Sequence, residues 1–196
     1  MTTQRFRLAS LLRNAAVFAI SSSTLLSAHA VEYTTLVSDK SELSFVSKQM
    51  GVAVDGKFKR FSGQLSFDPA KPQQAKATLD IDLASIDAGS ADANGEVVGK
   101  AWFNVRQYPS AQFIASSVKP LGGNRFDISG TLQIKGKTRP VTTQATLRES
   151  TGVAQFDGAF VLKRLDFGIG EGMWSDTSVV ADEVKIQYKL IARPAR

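Results

Sequence analysis

Phe126-Asp127-Ile128-Ser129-Gly130-Thr131-Leu132-Gln133-Ile134-Lys135 carries the pattern on which the fold turns. Apolar side chains at every second position oppose Asp127, Ser129, Gln133 and Lys135, a period of two that belongs to a half-buried β-strand. Two further stretches repeat it. Ala77, Leu79, Ile81 and Leu83 oppose Lys76, Asp80 and Asp82, and Val184, Ile186, Tyr188 and Leu190 oppose Lys185, Gln187 and Lys189. A transmembrane barrel needs an apolar exterior with aromatic girdles. Charges along one face of several strands therefore predict a water-soluble antiparallel sheet, closed around an apolar interior.

Working outward, the same alternation predicts eight strands over residues 33–48, 52–67, 75–86, 111–118, 126–135, 141–147, 154–165 and 179–192. Turn signals separate them: Asp68-Pro69 with Pro72, Pro109, Leu121-Gly122-Gly123-Asn124, Gly136-Lys137 with Pro140, and Ser150-Thr151-Gly152. A helix is expected over residues 91–100, where Asp92 could cap and Val97 and Val98 give a small apolar face. The fold class is thus all-β with one or two short helices. Phe61-Ser62-Gly63-Gln64-Leu65-Ser66-Phe67 is echoed by Ile128-Ser129-Gly130-Thr131-Leu132-Gln133-Ile134, and a mid-strand glycine permits the bend or bulge that a closing sheet requires.

The chain has 196 residues, 43% of them hydrophobic and 21% charged, with no cysteine, which suits one ordinary globular domain. Residues 1–30 hold Arg5, Arg7 and Arg13, no acidic residue, a long uncharged stretch and a terminal Ala28-His29-Ala30. They read as a signal peptide cut after Ala30, leaving residues 31–196 as a single exported domain. A mitochondrial transit peptide shares this composition and is the alternative. Cleavage would take away His29, the only histidine. The remainder, without histidine or cysteine, excludes Ser-His-Asp and Cys-His catalysis, the usual zinc sites and thiol redox chemistry. It carries 21 basic against 18 acidic residues, a net +3, so nucleic-acid binding loses its electrostatic support. No metal, no cofactor and no catalytic residue are expected.

Several short motifs have plainer readings. Asp80 and Asp82 both fall on the solvated face, not astride a bond as glycosidase carboxylates must be. Asp166-Phe167-Gly168 and the glycines after it lack the rest of any kinase or phosphate-loop machinery, and read as a bend leading to Trp174. Lys57, Lys59 and Arg60 read as a solvated basic face. The aromatic residues may be taken either as a packed core or as the lining of a slot, since eight-stranded barrels do both.

Four segments in order bring a resemblance: Gly51 to Gly63 with its Phe58-Lys59-Arg60-Phe61; Trp102-Phe103-Asn104-Val105-Arg106-Gln107-Tyr108-Pro109 with Phe113; Gly130 to Val141; and Lys163-Arg164-Leu165-Asp166-Phe167-Gly168-Ile169-Gly170. Together they resemble the YceI-like family of periplasmic polyisoprenoid-binding proteins across essentially all of residues 33–192. The resemblance implies a lipocalin-like extended eight-stranded antiparallel β-barrel whose interior holds an isoprenoid-tailed lipid, such as a polyprenyl phosphate or quinone, as ligand and not as cofactor. It implies no enzyme activity. Many members carry an Arg-Asp-x-His-Leu type loop where this chain has Ala91 to Lys100, so no head-group contact transfers.

Alternation and resemblance together nominate the lining: Phe45, Phe58, Phe61, Leu79, Ile81, Trp102, Phe103, Phe113, Ile128, Leu132, Phe160, Leu162, Phe167 and Trp174. Arg164 joins them if its strand stays regular, either paired with a carboxylate at the rim, Asp166 being on the same face, or in contact with a ligand head group. The rival functions are fatty acid or fatty amide binding, a packed accessory protein docking on a membrane redox partner, and an enzyme of unknown chemistry. A homodimer stays open as a partner.

Overall fold

The computed structural model describes residues 31–194. The signal-peptide reading of residues 1–30 lies outside them, as does the end of the expected domain at Arg196. Eleven strands form: β1 Tyr33–Leu36, β2 Glu42–Gln49, β3 Val52–Phe58, β4 Phe61–Phe67, β5 Lys76–Asp82, β6 Ile86–Asp87, β7 Ser110–Gly122, β8 Arg125–Ile134, β9 Lys137–Ser150, β10 Val153–Lys163 and β11 Glu183–Pro194. Every pairing between them is antiparallel. The order β1-β4-β5-β7-β8-β9-β10-β11 is closed by pairing β1 with β11, giving an eight-stranded barrel. Strands β2, β3 and β6 extend it beyond that ring.

Eleven strands arise from eight because the first three expected strands each break in two. The break between β1 and β2 is a 3-10 turn at Ser38–Lys40, and β11 spans it, pairing β1 with residues 192–194 and β2 with residues 185–189. The second falls at Lys59 and Arg60, the third at the 3-10 turn Leu83–Ser85. A broken ladder strands backbone donors and acceptors, and buried ones must find partners. Two serines supply them. Ser41 Oγ donates to Val37 O at 2.8 Å and accepts from Ile191 N at 2.9 Å. Ser85, 3% exposed, accepts from Arg60 N at 2.9 Å and donates to Asp82 O at 2.6 Å, joining the second break to the third. Alternation of apolar residues continues through such kinks, which is why it could not reveal them.

The long strands also differ from expectation. Strand β9 runs through Pro140, whose missing N–H would disrupt a central ladder. It is tolerated because β10 pairs only with residues 144–150 of β9, so Pro140 has β8 as its one strand neighbour. Gly130 does sit at a bend. The β7–β8 register shifts between Ala115 and Ser117 opposite it, and a Cβ on Gly130 would run into Ile114 O and the Phe113 ring. Beside the echo strand, the shift instead faces residues 64–67. The helix α1 is Ala91–Val97, shorter than expected, and its N-cap is Ser90, whose side chain accepts from Ala93 N, rather than Asp92.

Two apolar clusters fill the wall. One surrounds Leu83, Phe103, Leu132 and Phe167 near α1. The other closes the far end, where Phe67 packs edge-on against Phe126 and Phe156 at centroid distances of 5.3 and 5.1 Å. Tyr33 seals that end, 3% exposed, its hydroxyl donating to Glu149 Oε1 at 2.8 Å. Burial, then the Glu149 hydrogen bond, push the Tyr33 phenol from 10.0 up to about 12. The neutral phenol is therefore favoured in the fold, and its contribution to stability, present below about pH 10, is lost as pH rises toward 12. Denaturant midpoints measured across this range should fall in the parent protein, and the Tyr33→Phe protein should lack Tyr33's share of that fall.

Candidate functional site

The ring encloses a cavity of about 620 Å³ that runs from the Phe67–Phe126–Phe156 end to α1 and the segment bearing Trp174. Its walls come from the inward positions of nearly every strand, and period-two alternation explains why they are apolar. Cross-strand pairs place neighbours on the same face: Phe45 opposite Ile186, Leu43 opposite Tyr188, Phe113 opposite Leu132. Phe45 and Phe58 rings lie 5.8 Å apart, and Phe58 meets Phe103 edge-on at 6.3 Å.

Of the residues nominated from sequence, Phe45, Phe58, Leu79, Ile81, Trp102, Phe103, Phe113, Ile128, Leu132, Phe160, Leu162, Arg164 and Trp174 line this cavity. Phe61 and Phe167 do not. Phe61 faces the same way as its cross-strand partner Ile81 and packs into the core around it, next to the break at Lys59 and Arg60. Phe167 is 2% exposed but sits behind the wall, because β10 ends at Lys163 and a 3-10 turn follows at Arg164–Phe167.

Arg164 corrects the sequence expectation most sharply. It is not at the rim, being 1% exposed, and it makes no hydrogen bond or ion pair with Asp166. Its guanidinium has five N–H donors, and each has its own carbonyl. Nε donates to Ala181 O at 3.1 Å, Nη1 to Ile169 O and Gly170 O at 2.8 and 2.9 Å, and Nη2 to Trp174 O and Val180 O, both at 2.7 Å. The group thus ties residues 169–174 to residues 180–181, and no N–H is left for a ligand. Gly170 has φ +76, and a side-chain carbon there would collide with Arg164 Nη1, so only glycine wraps this closely. Burial lowers the Arg164 pKa from its ordinary value while nearby Asp182 opposes the shift. The same guanidinium lies over the Trp102 ring at 5.9 Å.

Three polar features of the cavity were not nominated from sequence. Glu96 on α1 accepts from two indoles through one oxygen, Trp174 Nε1 at 2.8 Å and Trp102 Nε1 at 3.1 Å. Their rings are 5.5 Å apart. Deeper in the wall, Thr143 Oγ1 donates to Ala159 O and lies 3.1 Å from Tyr188 Oη. With the Thr143 hydrogen so engaged, the Tyr188 phenol is the donor of that pair, and burial raises its pKa above the ordinary value. Tyr188 stood on the greasy face in the alternation, but nothing in one sequence pairs it with Thr143. The basic trio is partly neutralised: Lys59 pairs with Asp87 at 2.9 Å and Arg60 with Asp82 at 2.7 Å.

Fold and cavity define a lipocalin-like barrel with an apolar interior slot. The sequence profile of the YceI-like domain matches residues 34–192, and the chain belongs to that family. Among solved structures, the chain is similar to Burkholderia cenocepacia BcnA, with 46% identity, a TM-score of 0.78, and coverage of 80% of this chain and 99% of that one. A polyisoprenoid binding domain from Saccharophagus degradans shares the fold at 21% identity and a TM-score of 0.66, covering 84% and 99% of the two chains. A UPF0312 protein of Pseudomonas putida is 35% identical over 131 residues, 63% of this chain and 68% of that protein.

Removing the guanidinium strands five carbonyls at once. Arg164→Met should therefore cost about 3–5 kcal/mol, the range for breaking a buried charged network. Arg164→Lys should remain well below the parent, since one ammonium has three donors and no planar fork. Urea unfolding of both variants checks this.

Proposed function

We propose that this chain is an exported, periplasmic binding or carrier protein that sequesters an isoprenoid-tailed lipid in its barrel. The observation that carries the reading is the cavity itself: about 620 Å³, continuous between the two apolar clusters and walled by aromatic and aliphatic side chains. An engineered apolar cavity of about 150 Å³ takes a benzene, so a slot about four times larger suits a long branched hydrocarbon. Burying one five-carbon isoprene unit is worth about 4 kcal/mol gross, at ~0.8 kcal/mol per carbon. Association and ordering costs offset much of this, yet several units leave ample affinity with no charged contact. Mechanism here means partition. The tail leaves water for the slot, and the head remains at the α1 end, where the polar side chains are.

Membership of the YceI-like family and the shared fold of a polyisoprenoid binding domain support the lipid class. The Arg-bearing, acid-free residues 1–30 support export. The protein needs no catalytic residue for this role. A membrane redox partner would be served by delivery of a quinone-type ligand.

Protein purified without detergent from the periplasmic fraction of its source should yield a stoichiometric isoprenoid in an organic extract, with a matching native mass of the complex. A fatty acid or amide there, or no lipid and no uptake of added polyprenyl lipid, would overturn the reading. Ala77→Phe, which places a ring on the inward face of β5, should keep the barrel's circular dichroism and retain at least tenfold less isoprenoid.

A further inference from the structure

The charges that the cavity leaves uncommitted decide which head group it accepts. Among the described residues lining the cavity, Arg164 is the one cation, and all its donors are engaged by carbonyls. Both indole N–H groups are likewise spent, on Glu96 Oε1. The Ser47 hydroxyl donates to Val54 O, leaving the neutral Gln49 amide on the neighbouring hairpin. The acidic residues among those lining the cavity are Asp92 and Glu96, four residues apart on α1. Residues four apart share one helix face.

Glu96 is a built feature of this mouth rather than a loose surface acid. Two tryptophans from separate segments converge on one of its oxygens, the Arg164 guanidinium lies over the Trp102 ring at 5.9 Å, and the second oxygen accepts no hydrogen bond among the described residues. We propose that Glu96 is the specificity-determining residue of the slot, selecting amphiphiles whose head donates hydrogen bonds, above all an ammonium, and turning away phosphate heads. The proposal rests on the reading of the cavity as a lipid slot. A phosphate monoester brings a charge of about −1.5 to −2 at neutral pH. Beside two carboxylates, and with no free cation among the described residues that line the cavity, that charge meets repulsion. An ammonium or hydroxyl meets acceptors instead.

Three ligands with one tail test this: farnesylamine, farnesol and farnesyl phosphate. The chain has two tryptophans, both at the mouth, so intrinsic fluorescence reports binding where the heads differ. The parent protein should bind the amine at least tenfold tighter than the phosphate, with farnesol between. Glu96→Gln keeps an acceptor for both indoles but loses the charge. It should narrow the amine-to-phosphate ratio by about fivefold, as about 1 kcal/mol from one partly exposed charge implies, with farnesol affinity changing less than that of the amine. Asp92→Asn with Glu96→Gln should narrow it further. A purely structural clasp would leave the ratio where it was, and that result overturns the proposal, as does a parent protein that prefers the phosphate even if the variants fail to fold. Failure of all three ligands to bind would instead bring down the lipid-slot reading itself.

Discussion

Closure of the ladder is the constraint from which the rest follows. With β1 paired to β11, every strand of the ring has two neighbours, and the wall cannot slide inward without breaking backbone hydrogen bonds. Interior volume is then set by strand number and tilt, not by how much side chain is available to fill it. The inward residues lie on the wall and leave about 620 Å³ between them. A helix bundle with the same composition could repack to close such a space. A sealed ring cannot, so the space its inward side chains leave unfilled persists, and the breaks in the first three staves have to be mended by Ser41 and Ser85 for the seal to hold.

The ends of the slot are held by different means. At the far end, packing suffices: Phe67, Phe126, Phe156 and Tyr33 fill the taper. At the α1 end an opening must be kept while the loops around it stay ordered, and apolar packing alone would tend to close it. A buried guanidinium serves there because it fixes carbonyls in a plane without filling the lumen. Desolvating that charge is costly. Five carbonyl acceptors offset the cost, and the chain spends glycine at position 170 to let the backbone come close enough. The same group that frames the mouth is thereby removed from ligand chemistry.

What one sequence revealed and what it hid divide along this line. The ring of eight, its antiparallel sense, its apolar interior and thirteen of fifteen nominated cavity residues follow from alternation and from the four-segment resemblance, because strand faces are a local property of period two. The failures are places where the local period stops. Phe167, out of phase with Phe160 and Leu162, enters only through the resemblance and falls in a 3-10 turn, and Arg164, counted on from Leu162, is offered a neighbour in Asp166 when its partners lie up to 17 residues downstream. The kinks at Lys59, Arg60 and Leu83–Ser85 preserve the alternation and so leave no trace in it. Glu96 carried no signal, since its indole partners lie 6 and 78 residues further along the chain and only the fold brings them together.

On the proposed reading, affinity and selectivity reside in different parts of the molecule. The tail term scales with buried hydrocarbon and is indifferent to which prenyl or acyl chain supplies it, so the wall alone makes a strong but undiscriminating binder. Discrimination must come from a small electrostatic difference at the mouth, and such a difference decides the outcome only because the large tail term is common to all competitors and cancels. An exposed carboxylate is worth little as a source of affinity. As a source of preference between ligands that share a tail, it needs to be worth no more.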